Sequence, residues 1–286
     1  MHGKRRSAPV ALATVLIAIG LNLAPAHAQD VTRPAQDYTP QVGQEGKDVI
    51  WVPTPQSLVE RMLDMAKLTA KDIHYDLGSG DGRTVIAAAK RGAQAVGVEY
   101  NPDMVALSER AAAKEGVSAR AKFINGDIFQ TDFSHATVLT LYLLPSLNVK
   151  LRPTILNMKP GTRVVSHAFT MDDWEPDQTD SVEGRTAYLW IVPAKVNGTW
   201  QTTAGELALT QKYQTISGTL KTGSGPAAIS GGKLNGARIT FTANGVRYSG
   251  RVDGDRIEGT ARAGGGGTTK WSATRAPVAA AHKPGA

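Results

Sequence analysis

Five β-prone residues, Ile73-His74-Tyr75-Asp76-Leu77, run directly into Gly78-Ser79-Gly80-Asp81-Gly82, and a helical pattern follows through Val85, Ile86 and Ala89. A turn so rich in glycine lets the backbone bend sharply and come close to a ligand, because no Cβ intrudes. The unit then repeats. Residues 95–99 form a second strand, after which Asn101 can cap a helix with Pro102 at its first position and Gly116 at its end. Residues 122–124 form a third strand that ends at Asn125-Gly126-Asp127. Residues 137–143 (TVLTLYL) are almost continuously apolar, as expected of a parallel strand buried on both faces, and 163–169 and 186–192 supply two more. Ahead of the first strand, Thr54 is placed to cap a helix with Pro55 at its first position. Leu58, Val59, Met62, Leu63 and Ala66 then share one face. Repeated β-α units predict an α/β fold with a doubly wound, mostly parallel sheet and ligands at the carboxyl ends of its strands.

A composition shift follows Pro193. Residues 195–286 hold 17 of the chain's 30 glycines, and short alternating runs recur between turns. They predict a small all-β barrel or sandwich over residues 195–275, with Trp200 and Trp271 in its core. Gly198-Thr199-Trp200 and Trp271-Ser272-Ala273-Thr274-Arg275 resemble the ends of small up-and-down barrels of the avidin or lipocalin sort. Residues 276–286 are expected to be a disordered tail. Because the 286 residues include no cysteine, disulfides, thiolate metal sites and a cysteine nucleophile are excluded.

At the amino terminus, Lys4, Arg5 and Arg6 precede an apolar run over residues 8–24 and then Ala26-His27-Ala28. That pattern predicts a signal peptide (1–28) cleaved after Ala28 and an exported protein, periplasmic or in the cell envelope. An uncleaved membrane anchor is the alternative, although Pro9, Asn22 and Pro25 weaken a span. Residues 29–46 are polar and read as a mobile linker. The formal charge of +7 divides into +3 for the first 28 residues, −4 for 29–193 (17 basic, 21 acidic) and +8 for 194–286 (12 basic, 4 acidic). The α/β part is therefore acidic and the β module basic, which makes an anionic envelope surface a possible partner of the module. The module's charges are spread over many strands rather than in one run, so a plain solvated surface stands beside that reading.

The chemistry lies at the strand ends. Dinucleotide folds use Gly-x-Gly-x-x-Gly facing a pyrophosphate; here the third glycine comes one residue early and Asp76 and Asp81 flank the turn. That disfavours a nicotinamide dinucleotide and suits a cationic ligand bearing an ammonium group. Glu99 ends the second strand, where a carboxylate can take both hydroxyls of a ribose, and Asp127 ends the third, near where an adenine amino group would lie. Asp81 can equally cap the following helix, and Arg83 reads as a helix-surface charge. His74, His135 and His167 stand apart without metal-ligand spacing. Asp172, Asp173, Glu175, Asp177 and Asp180 around Trp174 read as a solvated acidic loop, which could attract a basic substrate.

The run Tyr75-Asp76-Leu77-Gly78-Ser79-Gly80-Asp81-Gly82-Arg83, with Val98-Glu99 and Gly126-Asp127, resembles the class I S-adenosylmethionine-dependent methyltransferases. Val52-Pro53-Thr54-Pro55 and the stretch from Thr140-Leu141-Tyr142-Leu143-Leu144-Pro145 to Lys159-Pro160-Gly161-Thr162-Arg163-Val164-Val165-Ser166 narrow the resemblance. They point to the non-SET histone-lysine and ATP synthase c-subunit lysine methyltransferases. The resemblance implies a Rossmann-like methyltransferase domain over 47–193 that binds S-adenosylmethionine. Asp76, Gly78 and Gly80 would form the cofactor turn, with Thr54, Ser79 and Asp81 in the same site. Glu99 would hold the ribose, and Asp127 and Ile128 the adenine. Tyr142 would border the methyl-transfer channel as the candidate catalytic residue, though a buried core aromatic is an equal reading of it.

A lysine acceptor must lose a proton before attacking in line with the methyl–sulfur bond, and an apolar channel favours that loss. The expected partner is thus a protein carrying the acceptor lysine, with no nucleic acid and no transmembrane span once the leader is cleaved. Export sets up a second reading, a binding protein on an inactive methyltransferase scaffold, because S-adenosylmethionine is made in the cytoplasm.

Overall fold

The computed structural model describes residues 2–3 and 38–277; the bulk of the expected signal peptide, the linker up to residue 37 and the tail from residue 278 lie outside the described residues. The apolar spacing before the first strand folds as α1 (Gln56–Met65), with Leu58, Val59, Met62, Leu63 and the following Ala66 all buried. The helix starts one residue later than its sequence implies. Pro55 is the extended cap residue, and the Thr54 hydroxyl is not on a helix amide but 3.0 Å from His167 Nδ1.

The α/β half continues through β1 (Ile73–Leu77), α2 (Arg83–Lys90), β2 (Gln94–Glu99), α3 (Pro102–Lys114), β3 (Ala121–Asn125), β4 (Val138–Leu141), α4 (Pro145–Ile155), β5 (Arg163–His167), β6 (Gln178–Val182) and β7 (Arg185–Ile191). Their order in the sheet is β3-β2-β1-β4-β5-β7-β6. The first five run parallel; β7 runs antiparallel to β5, and β6 antiparallel to β7, hence in the direction of the first five. Asn101 caps α3 as expected, its side chain accepting the Asp103 amide at 2.9 Å. Two strands end early: β4 stops at Leu141 and β5 at His167. Pro145 opens α4 and holds Leu144 extended, which turns Tyr142 and Leu143 out of the sheet.

The acidic stretch after β5 is solvated at Asp172, Asp173 and Glu175, as expected, but it is anchored by Trp174. Trp174 is completely buried in it, donating to Gln214 Oε1 at 2.9 Å, and Trp190 donates to the Trp174 carbonyl at 2.6 Å. Three of its five carboxylates are hydrogen-bonded, Asp173 by Arg152, Lys212 and the Tyr213 hydroxyl, Asp180 by Arg61, and Asp177 by the Ile191 amide, while Asp172 and Glu175 are exposed.

The second half is β8 (Gly198–Thr202), β9 (Gly205–Lys212), β10 (Thr215–Thr222), β11 (Gly225–Ala228), β12 (Ser230–Asn235), β13 (Arg238–Ala243), β14 (Val246–Asp253), β15 (Arg256–Ala263) and β16 (Thr268–Arg275). β11 and β12 both pair with β10, joined by the Ile229 amide on the Gly218 carbonyl, and act as one bent strand. β16 pairs with β8, so the ring closes as an eight-stranded up-and-down barrel rather than a sandwich. A barrel of this size is just filled by side chains. Phe241 stacks on Tyr248 at 4.8 Å with Trp271 edge-on to both, while Trp200 is fully buried under the Arg275 guanidinium at 4.3 Å.

Barrel and sheet are joined through Trp174, which stacks on Tyr213 at 5.7 Å, and through the Ala194 amide on the Gly236 carbonyl. At Gly236 a Cβ would lie 2.9 Å from the Gly161 backbone, so only glycine admits this contact. Replacing Trp174 with alanine is expected to cost about 3–5 kcal/mol. The shift in denaturation midpoint measures it, whereas an unanchored loop would give a shift near zero.

Candidate active site

One cavity of about 610 Å³ opens at the carboxyl ends of the parallel strands. It is lined by all ten residues singled out from the sequence: Thr54, Asp76, Gly78, Ser79, Gly80, Asp81, Glu99, Asp127, Ile128 and Tyr142. The turn after β1 forms its floor, with Gly78, Gly80 and Gly82 at positive φ (80°, 54° and 78°). Glu99, at the end of β2, accepts the Gly80 amide on one oxygen (2.9 Å) and the Asn101 amide on the other (3.0 Å). A single carboxylate thereby fixes the turn and still faces the cavity.

Asp76 is buried beneath the turn. Thr140 on β4 donates to its Oδ1 at 2.6 Å, and His74 Nε2 lies 2.8 Å from the same Thr140 hydroxyl. Since that hydroxyl gives its proton to Asp76, the imidazole donates Nε2–H to it. Complete burial holds the His74 pKa down to about 3, keeping the ring neutral. Burial raises the Asp76 carboxyl to about 7, opposed by the Thr140 hydrogen bond and assisted by the charges of Asp81 and Glu99. Asp81 is engaged within the chain. It pairs with Arg83 at 2.5 Å and meets that residue's amide at 3.3 Å, but the cap position of α2 is Gly82 and carries no side-chain cap bond, so Asp81 holds Arg83 rather than capping the helix. Arg83, expected on a helix surface, instead lines the cavity and bridges from Asp81 to the Thr54 carbonyl at 3.0 Å.

The opposite wall is apolar: Leu143, Leu144, Leu147, Tyr142 and Phe169. The Tyr142 ring lies 3.8 Å from that of His167 and 6.2 Å from Phe169. Tyr142 is half-buried, so it is packed and faces the cavity at once. Burial, then the charge of Arg185, lowers His167 to about 4, which leaves a neutral ring against Tyr142. Asn148 on α4 sets the wall from behind, donating to the Phe169 and Thr170 carbonyls at 3.2 Å.

A strap closes the remaining side, and the sequence did not announce it. Residues 38–46, expected as linker, lead into a tight hairpin in which Gly43 and Trp51 pair and Glu45 bridges Ile50. Lys47 at its tip forms an ion pair with Asp127 at 2.6 Å and sits 5.1 Å over the Tyr100 ring. The Lys47 ammonium and the Phe129 amide hold the Asp127 carboxyl below the usual range. Asp127 therefore reaches the cavity already engaged on both oxygens. Trp51 covers the turn so closely that a Cβ on Gly80 would lie 2.6 Å from its indole nitrogen. The apolar run Val49-Ile50-Trp51-Val52, directly after a polar stretch, was the available signal.

These residues fit S-adenosylmethionine. The turn admits close approach, the carboxylates of Asp76 and Glu99 suit an ammonium group and vicinal hydroxyls, and the Ser79 hydroxyl is buried without a partner among the described residues. No group of three or more histidine or acidic side chains among the described residues could hold a metal ion.

Comparison with known proteins agrees with this geometry. The ANTKMT methyltransferase domain model matches residues 76–178. A protein-lysine N-methyltransferase of Saccharolobus islandicus is 44% identical over 151 residues, 50% of this chain and 94% of that protein. The lysine N-methyltransferase of Rattus norvegicus that is named for the ATP synthase c-subunit is 35% identical over 130 residues, 45% of this chain and 60% of that protein. An RNA methyltransferase of Salinibacter ruber, solved with S-adenosyl-L-homocysteine, shares 50% identity at a TM-score of 0.50, covering 51% of this chain and 96% of that one. On sequence, fold and site together, this chain belongs to the protein-lysine N-methyltransferase family of S-adenosylmethionine-dependent methyltransferases.

Proposed function

We propose that the protein transfers a methyl group to the side-chain amine of a lysine in a partner protein, and that it does so outside the cytoplasm. The observation that carries the transfer reading is the division of one cavity into a carboxylate-lined half and an apolar aromatic half. In the first half, Asp76 would hold an ammonium group and Glu99 a pair of hydroxyls, with Ile128 and Asp127 on the adenine side. Bound S-adenosylmethionine supplies a methyl group already activated by its sulfonium. The chain's task is then alignment and desolvation. The Tyr142, Leu144 and Phe169 wall excludes water and lowers the pKa of an entering lysine, favouring the neutral amine. No side chain on that wall is placed as a base, and Tyr142 acts as wall and guide. Export rests on the amino-terminal pattern alone.

The Salinibacter ruber relative supplies a second reading, an RNA acceptor. The cavity disfavours it, because Glu45, Asp48, Asp81, Glu99 and Asp127 line it while Lys47 and Arg83 are paired to carboxylates. Incubating an envelope extract with labelled cofactor separates the two. Label in a protein band, located on lysine by mass spectrometry, is expected; label lost to nuclease would overturn the lysine reading.

Two measurements test the cofactor half. Replacing Glu99 with alanine removes both the hydroxyl acceptor and the clamp on the turn, and should weaken S-adenosylmethionine binding about ten- to hundredfold by calorimetry. Unchanged affinity would refute the assignment.

The second is pH. Asp76 must be ionised to hold a cation, and its free-state pKa of about 7 means that affinity rises with pH up to that value and levels above it. In Asp76→Asn the profile should flatten. The raised pKa also makes the folded chain bind a proton more tightly than the unfolded one, so ionising Asp76 costs stability as pH climbs toward 7. The variant should then melt no lower than the parent at pH 8. A lower melting temperature there would show that the carboxylate is structural instead.

A further inference from the structure

The barrel's charges, scattered in sequence, are gathered by strand register. Alternation sends Arg238 on β13, Arg247 and Arg251 on β14, Arg262 on β15 and Lys270 on β16 to the outer face, and all five are exposed. Arg238 stands directly opposite Arg251, and Arg247 directly opposite Arg262. Like charges paired in this way destabilise a sheet. None of the five takes part in an ion pair among the described residues, and Glu258, across from Arg251, is held by Arg256 at 2.9 Å. The positions between them carry hydroxyls, as at Thr240, Ser249 and Thr260. The far side of the barrel differs. There Glu206 stands opposite Lys221, and Lys212 is spent on Asp173.

We propose that the outer face of β13–β16 docks on the headgroup plane of an anionic phospholipid bilayer. The patch extends across four strands as well as along them, which matches a plane of charges better than a single polymer. Trp200, Phe241, Tyr248 and Trp271 all point into the barrel, so this face offers no ring on which nucleobases could stack. It offers no outward apolar side chain for insertion either, and the attraction is electrostatic, growing with each cation brought to the surface. This inference is independent of the methyl acceptor.

Sedimentation of the full chain with vesicles tests it. Vesicles of phosphatidylcholine with about a third phosphatidylglycerol should bind at least about tenfold more protein than phosphatidylcholine alone at low salt, and salt should erase the preference. A variant with Arg238, Arg247, Arg251, Arg262 and Lys270 all changed to glutamine keeps the same amino terminus, so any contribution from that segment cancels. It should lose the preference while keeping its S-adenosylmethionine affinity. Should that variant fail to fold, Arg247→Gln with Arg262→Gln relieves one like-charge pair, melts no lower than the parent and should reduce the preference several-fold. Equal binding to both vesicles, a preference retained in the folded variants, or binding to an RNA duplex without binding to vesicles would each overturn the proposal.

Discussion

Glu99 accepts one backbone amide from the glycine turn and another from the start of α3, and the cofactor end of the molecule is organised around that pair of bonds. A backbone held at positive φ in three glycines has little conformational preference of its own. The carboxylate supplies the preference by tying the turn after β1 to the loop after β2. The same residue faces the cavity, so the group that shapes the site is also the group that would contact the ribose. Asp76 follows a different logic. It is kept in place by a buried chain of hydrogen bonds from His74 through Thr140, and burial makes its charge costly until a cation arrives.

Much of this was legible in the sequence because local signals and tertiary packing agreed. The strand at 73–77, the Asn101 cap and the barrel strands that alternate between turns all form where period and capping place them. The departures share a cause: side chains whose partners are distant in the chain. Trp174 sits among five carboxylates, and nothing nearby reveals that Gln214 and Tyr213 will bury it. Residues 38–52 carry no periodicity, since their order comes from Asp127 and the glycine turn. Thr54 has the composition of a cap, yet His167 takes its hydroxyl. In each case a long-range partner overrode a local preference.

The join between the halves is also a long-range matter. Tyr213 and Gln214, in the β9–β10 turn, clamp the segment that directly follows Phe169 on the cavity wall. The barrel is therefore packed against the stretch of chain that follows the cavity's apolar wall. Asp177, whose carboxyl burial pushes up, lies in the same seam with its second oxygen 3.8 Å from Lys233.

The barrel's topology has a consequence for how the chain acquires its fold. Every strand pairs with its neighbour in sequence except at one seam, β16 against β8. Neighbour pairings are local and form quickly, whereas the seam must wait for the whole meander. Arg275 lies at that seam, stacked on Trp200 and donating to the Asn197 and Lys195 carbonyls before β8. A chain delivered from its amino terminus can complete its α/β sheet while the barrel still lies open. The last of the barrel's own strands to emerge is the one that shuts it.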